Sequence, residues 1–403
     1  MMDAQFTSEQ ALLKALSNLD ITPTMEANAR EKYGAIAQYL SEHGVEANFY
    51  PQGSFRLGTV TRPFRQGKDV SYDLDVVCQV LEDKQQVTPG YVKNLIGDPL
   101  KESGLYADKL LPEDDRCWTL EYAKVDDKTG FNLDLVPSVK QDMTLIDRLV
   151  LAGIPRDKAT VAIAITEKTA DGGDYGWQNS NPKGYAMWFD EINAPFLAEV
   201  EHEQRKQIFE FNKQLYASIE EVPKILIRSP LQRAIQILKR HRDVYYYRAG
   251  AEDRKPISAI ITTLAAQFAK GLHPAIGVVE LLEHLTLELG LYSELLQDVG
   301  SRDHSVFETR TLIKRDEREW YIGNPVDPFD NYADGWDERT AELFFSWSRV
   351  VKEELVDTVD SSERMLMSLA SSLSIAGLEN ALGTNKKRAP VEIKPIKPWR
   401  SII

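Results

Sequence analysis

The sequence is poor in cysteine, poor in histidine and short of cations, and each shortage closes off a class of function. Cys78 and Cys117 are the only cysteines in 403 residues, too few for a disulfide framework or a Cys-rich zinc site, so both are expected to be reduced core residues. The six histidines, at 43, 202, 241, 273, 284 and 304, show no metal-ligand spacing. Lys and Arg number 48 against 62 Asp and Glu, a net charge of −14. That balance argues against a broad nucleic-acid groove, whose affinity comes from neutralising phosphates. No apolar run reaches about 18 residues, and the N-terminal segment has no basic region leading into an apolar run. These absences point to a cytoplasmic protein without a membrane span or an obligatory nucleic-acid template. The composition is otherwise ordinary, 43% hydrophobic and 27% charged. The chain is long enough for two lobes, since single cores stop growing at about 250–300 residues.

Against this background one set of acids stands out. In the segment 71–78, Ser-Tyr-Asp-Leu-Asp-Val-Val-Cys, a strand period of two puts Asp73 and Asp75 on one face and Tyr72, Leu74 and Val76 on the other. The segment 131–137, Phe-Asn-Leu-Asp-Leu-Val-Pro, repeats the pattern, with Leu133 and Leu135 facing a core and Asp134 opposite. If the two strands are neighbours, three carboxylates meet. Three hard oxygen ligands on a rigid sheet suit Mg²⁺. Two such ions about 3.5–4 Å apart activate an attacking hydroxyl and stabilise a leaving pyrophosphate. Upstream, Gly53-Ser54 lies between an extended segment and a helix start, where backbone N–H groups and the serine hydroxyl can donate to a phosphate. Alone, an Asp-x-Asp is more often a solvated strand face and a Gly-Ser an ordinary turn. Their order and spacing, with Asp134 on a second strand, make them a site of the polymerase-β nucleotidyltransferase type.

Helical periodicity opens the chain. Leu12, Leu13, Leu16 and Leu19 form one stripe, and Thr22-Pro23-Thr24 caps a longer spine helix through about His43. Strands are expected near 47–50, 72–81, 117–124 and 131–136, with a polar turn at 126–130. Helices are expected to dominate after about 195, at 231–242, 257–270, 276–298, 338–357 and 361–382. From Thr384 the composition turns to Lys and Pro and reads as an extended tail. The expected fold is α+β: a nucleotidyltransferase lobe with a mixed sheet over residues 1–220, a helical lobe over 221–383, and a flexible tail over 384–403.

The segments 53–59, 72–77 and 131–137 together resemble the bacterial CD-NTases, relatives of cyclic GMP-AMP synthase and oligoadenylate synthase found in the anti-phage systems called CBASS. The resemblance continues through 180–185 (Ser-Asn-Pro-Lys-Gly-Tyr), 231–242, 255–258 (Lys-Pro-Ile-Ser) and 324–328 (Asn-Pro-Val-Asp-Pro), and spans about residues 25–340. It implies that Asp73, Asp75 and Asp134 hold two Mg²⁺ ions, with Mn²⁺ as a substitute, and that Asp134 helps to deprotonate the acceptor hydroxyl. It also implies that Gly53, Ser54, Lys239 and Ser258 bind the donor triphosphate. By their own sequence context, Lys239 reads more readily as a solvated helix-face lysine, and Ser258 reads equally as a helix cap. The basic run Lys239-Arg240-His241-Arg242, with Arg228, Arg233, Arg248 and Arg254 nearby, is expected to neutralise triphosphates or to face solvent opposite acids. The tyrosines 245–247 read as packing. Tyr185 or Trp188, after a turn at Asn181-Pro182-Lys183-Gly184, is the better stacking candidate.

The implied function is synthesis of a cyclic di- or trinucleotide from ATP, with or without GTP or another NTP, with pyrophosphate leaving. The partners implied are a downstream effector reached through the product and a regulatory protein of the same defence system. Two alternatives stay open at this point. One is a nucleotidyltransferase acting on a protein, a tRNA or an antibiotic; the other is an inactive nucleotide-binding scaffold, disfavoured because all three acids are intact.

Overall fold

The computed structural model describes residues 19–125, 129–169, 172–297, 310–317, 319–357 and 371–374. Leu12, Leu13 and Leu16, most of the helix expected at 361–382 and the tail from Thr384 lie outside these residues.

Helix α1 (Pro23–Glu42) starts where its cap dictates: Thr22 Oγ1 accepts from Met25 N at 3.2 Å and Pro23 occupies the first turn. Its 20 residues span about 30 Å and bury Ala29, Ile36 and Leu40 against the sheet. There follow β1 (Ala47–Pro51), the short α2 (Gly53–Leu57), a hairpin of β2 (Phe64–Arg65) and β3 (Lys68–Asp69), and β4 (Tyr72–Val80). Next come α3 (Pro89–Glu102), β5 (Trp118–Val125), β6 (Thr129–Lys140), α4 (Met143–Leu151), β7 (Ile163–Lys168) and β8 (Tyr175–Ser180). The sheet runs β1-β4-β6-β7-β8, with β5 also on β6. Strands β4 and β6 are parallel; the other pairs are antiparallel. Strand β6 changes partner along its length: Phe131–Leu135 pairs with β5 and Ser138–Lys140 with β7. The alternation read from the sequence holds in β4, where Tyr72, Leu74 and Val76 are buried and Asp73 and Asp75 are half-buried on the other face.

The helical region begins earlier than its periodicity suggested. Helix α5 (Pro182–Phe211) starts at 182 rather than about 195, and the hairpin β7–β8 precedes it. The Asn-Pro-Lys-Gly segment is therefore no turn. Asn181 is a helix cap whose Oδ1 accepts from Gly184 N at 3.0 Å, with Pro182 in the first turn. Helices α6 (Pro230–Arg248), α7 (Ser258–Ala269), α8 (Val278–Tyr292) and α9 (Glu338–Val351) complete the helical core, where Phe189 and Phe196 of α5 join Leu231, Ile235, Leu264, Leu285, Phe344 and Trp347. Two small ribbons connect α8 to α9: β9 (Lys314–Asp316) with β10 (Glu319–Tyr321), and β11 (Gly323–Asn324) with β12 (Asp327–Asn331).

Helix α6 fastens the helical core to the sheet. A capping box starts it, Ser229 Oγ accepting from Gln232 N and Gln232 Oε1 accepting from Ser229 N. Its side chains then grip the main chain after α2. Gln232 Nε2 donates to Leu57 O at 2.8 Å, Gln236 Nε2 to Val60 O at 2.6 Å, Lys239 Nζ to Thr59 O at 3.0 Å and Arg240 Nη1 to Arg62 O at 3.0 Å. The helical spacing of these four residues puts them on one face.

Candidate active site

The parallel register of β4 and β6 sets Asp75 directly beside Asp134, and Asp73 beside Asn132. All three carboxylates thus share one face of adjacent strands. Two of them are held by neighbours: Asn132 Nδ2 donates to Asp73 Oδ1 at 3.1 Å, Arg65 reaches within 3.6 Å of Asp73 Oδ2, and Thr119 Oγ1 of β5 donates to Asp134 Oδ1 at 2.6 Å. In this arrangement no three His, Cys, Asp or Glu side chains among the described residues enclose a single cation position. The electrostatics show what the cluster is short of. Burial, then Asp134 and Asp73, push Asp75 up to about 7 against the pull of Lys239. Burial also raises Asp134, opposed by the Thr119 hydrogen bond. An oxygen-rich cluster in mutual repulsion fits a hard divalent cation.

Chain geometry at Gly53 joins this cluster to a cleft. Gln52 N donates to Asp75 O at 2.8 Å, tying the start of α2 to β4. Gly53 sits at φ +59°, and a Cβ there would lie 2.6 Å from Asp75 Oδ2. Only glycine allows both the left-handed backbone and the close approach. From this corner opens a cleft of about 310 Å³, and Gly53, Ser54, Lys239 and Ser258 all line it.

Lys239 is buried rather than a solvated helix-face residue, and burial, with Arg242 nearby, lowers it to about 8. Ser258 makes no cap with its side chain; it is the first residue of α7, and its Oγ accepts from Arg242 Nη1 at 3.2 Å. Tyr185 lines the cleft and its hydroxyl pairs with Thr263 Oγ1 at 2.8 Å, whereas Trp188 packs beside Tyr185 outside the lining. Tyr245 and Tyr246 are core residues.

The basic run corrects the sequence expectation, for most of it neither faces solvent nor lines the cleft. Arg240 and Arg242 are buried, Arg242 pairing with Asp243 at 2.7 Å and donating to Pro256 O at 2.9 Å. His241 lies between Trp347 Nε1 and Glu354. Only Lys239 of the four reaches the cleft. Sequence reasoning also missed the far wall, made by Asn324, Asp327, Asp330 and Tyr332. The segment Asn324-Pro325-Val326-Asp327-Pro328 carried part of the resemblance, but nothing in its sequence showed that it lines the cleft.

Comparisons with known proteins agree with this geometry. The family model described as cyclic GMP-AMP synthase DncV-like, nucleotidyltransferase domain, matches residues 47–135, which hold all three acids and Gly53-Ser54. A c-di-GMP synthase of Roseivirga ehrenbergii is 30% identical over 339 residues, covering 83% of this chain and 74% of its own. The cyclic dinucleotide synthase CdnG of Bradyrhizobium diazoefficiens is 25% identical over 348 residues, covering 82% of this chain and 70% of its own. The solved structure of a Bradyrhizobium diazoefficiens CdnG in complex with GTP shares the fold, with a TM-score of 0.64 at 21% identity over 93% of this chain and 98% of the other. No helix among the described residues is long and apolar enough to cross a membrane. A parallel strand pair carrying the acid trio, a glycine corner opening into a cleft, and a relative 30% identical over most of both chains lead to one conclusion: the chain belongs to the bacterial CD-NTases, metal-dependent nucleotidyltransferases that synthesise cyclic oligonucleotides.

Proposed function

We propose that this protein is a cyclic dinucleotide synthase that uses GTP, with Asp73, Asp75 and Asp134 holding two Mg²⁺ ions. The observation that carries the proposal is the close approach of Gly53 to Asp75, which puts the Gly53-Ser54 corner of the cleft against the carboxylate cluster. Bound there, the ions would supply charge neutralisation for the attacking oxygen and the departing pyrophosphate.

The protein's own groups do the rest. Ser54 and the N–H groups at the start of α2 face the triphosphate, and Lys239 adds a cation whose Nζ is already positioned by Thr59 O. Thr119 occupies Asp134 Oδ1, so Asp134 Oδ2 is the atom left to take the proton of the acceptor ribose hydroxyl. Closure of the ring repeats the transfer, with the linear intermediate's triphosphate back at Gly53-Ser54 and its free hydroxyl at Asp134.

Guanine is favoured by the far wall. Asp327 is only 7% exposed and its Oδ1 accepts from Phe329 N at 3.1 Å, while Asp330 Oδ2 accepts from Asn324 Nδ2 at 3.0 Å. Each keeps a second carboxylate oxygen that can accept from guanine N1–H and N2–H₂. Adenine would turn a lone pair at N1 toward the same oxygens. The two relatives support the choice, one named for c-di-GMP and the other's family member solved with GTP. The product would act on a downstream effector.

The test is to incubate the protein with each labelled NTP and Mg²⁺, treat the products with phosphatase and measure their masses. A phosphatase-resistant cyclic dinucleotide containing guanine is expected. A ladder of phosphatase-sensitive linear oligomers, or label on protein or tRNA, would overturn the reading.

A further inference from the structure

The hairpin β2–β3 has no part in the mechanism so far, yet its placement is closely determined. Its two-residue loop, Gln66-Gly67, has both residues at positive φ, 52° and 79°, as a tight primed turn requires. A Cβ on Gly67 would lie 2.7 Å from the Tyr247 hydroxyl, so the loop is seated directly against α6. The ladder itself is only two residue pairs long, Phe64 with Asp69 and Arg65 with Lys68, too short to hold its shape unaided.

Arg240 supplies the hold. Its side chain is fully buried, and the guanidinium forms an ion pair with Asp69 at 2.6 Å, donates to Arg62 O at 3.0 Å and lies 4.8 Å from the centre of the Phe64 ring. The same guanidinium donates to Leu373 O at 2.7 Å and Ser374 O at 2.9 Å. The hairpin is therefore clamped from behind by a group that also bonds the carbonyls of Leu373 and Ser374.

At the front of the hairpin, Arg65 is the opposite kind of residue. It is 57% exposed, and among the described residues Asp73, at 3.6 Å, is its one ion-pair partner. Two protein cations act on the acid trio. Lys239 acts on Asp75 but is buried and bonded to Thr59 O; Arg65 pairs with Asp73, acts on Asp134 as well, and keeps more than half of its side chain exposed.

We infer that Arg65 is a further substrate-binding residue: in the metal-free enzyme it covers Asp73, and when a divalent cation and nucleotide enter it moves to a phosphate oxygen, with Arg240 as the positioning residue that holds its hairpin. The inference rests on reading the trio as the metal site. A divalent ion at Asp73 repels the guanidinium, and the nearest new anion is the triphosphate the ion arrives with. An arginine suits the exchange because its planar fork pairs equally well with carboxylate and phosphate.

The test measures binding without turnover. Mn²⁺ binding to the full chain is followed by electron paramagnetic resonance, alone and with a non-hydrolysable GTP analogue, in the wild type, Arg65→Gln, Arg65→Lys, Asp69→Asn and Asp75→Asn. Removing a competitor for Asp73 should tighten binding of Mn²⁺ alone by about twofold to fivefold in Arg65→Gln, the range of an exposed ion pair. Loss of a phosphate contact should weaken binding of the analogue about tenfold in the same variant. Arg65→Lys should recover part of both effects, and Asp69→Asn should weaken analogue binding in the same direction. Mn²⁺ binding that is abolished by Asp75→Asn but unchanged, together with analogue binding, in Arg65→Gln would overturn the role of Arg65 alone. Absence of Mn²⁺ binding in every variant would overturn the metal reading and this inference with it.

Discussion

Replacing Asp75 by Asn should make the metal-free protein more stable at alkaline pH while destroying its activity. The carboxyl of Asp75 is pushed from its ordinary value of 3.8 to about 7 by burial and by its two acidic neighbours. A shift of about 3 units corresponds to about 4 kcal/mol at 1.36 kcal/mol per unit. Because Asp75 is half-buried rather than fully enclosed, solvent screening brings the usable figure to about 2–4 kcal/mol. The sign follows from the raised folded-state value. Asp75 leaves stability intact below about pH 4, and that stability is lost as pH rises through 7. Asparagine keeps the shape without ionising, so in EDTA at pH 8 the variant should melt several degrees above the wild type, and the gap should shrink toward pH 5. Added Mg²⁺ should raise the wild-type melting temperature and leave the variant's nearly unmoved. Differential scanning calorimetry from pH 5 to 8, read as the difference between the two proteins, isolates this carboxyl from all the others. Equal melting temperatures across that range in EDTA would refute the argument that the trio is held together against its own repulsion. In the same variant, nucleotide incorporation should fall at least a thousandfold, about 4 kcal/mol of transition-state stabilisation.

Lys239→Ala should raise KM for NTP with a smaller effect on kcat, a loss of about 1–3 kcal/mol, and an unchanged KM would remove the lysine from the phosphate site. Because Lys239 is lowered to about 8, wild-type kcat/KM should decline as pH rises above 8, and Lys239→Arg should shift that decline to higher pH in a steady-state profile. Gly53→Ala should abolish turnover, since its Cβ would lie 2.6 Å from Asp75 Oδ2; full activity would show that the corner can move freely. Asp327→Asn should lower the preference for GTP over ATP about tenfold or more in a competition assay, whereas an unaltered ratio would place base selection elsewhere in the cleft.

The acid trio was legible because strand alternation is short-ranged. Leu74 and Leu133 had to be buried, so Asp73, Asp75 and Asp134 had to face away from them, and only the pairing of β4 with β6 was left to the structure. The start of α1 was equally local, set by Thr22 and Pro23. Strand β8 was not legible because it lies at the sheet edge, half-buried on both faces, and Tyr-Gly-Trp-Gln-Asn-Ser carries no apolar alternation. The basic run was misread for a different reason. An amphipathic reading assigns charged residues to solvent, but α6 is enclosed on nearly every side, and its polar face is spent on carbonyls of residues 57–62 and 373–374. The far wall of the cleft depends on where a distant loop folds back, which no local pattern encodes.

The grip of α6 on the strand-side chain has an uneven chemistry. Gln232, Gln236, Lys239 and Arg240 all donate from side chains, and all four acceptors are main-chain oxygens of Leu57, Val60, Thr59 and Arg62. A carbonyl belongs to every amino acid, so the accepting segment is read for its path and not for its residues. Tolerance to mutation should therefore be lopsided across this one seam. Substitutions along 59–62 should leave this grip in place and act only through the packing of the buried Thr59, Val60 and Thr61 side chains, while conservative changes at the four donors should disturb the spacing between the helical core and the sheet and thereby the width of the cleft. A change of side chain beside the cleft and a loss of alignment between helical core and sheet are thus separate events, because the bonds that set the alignment end on the backbone.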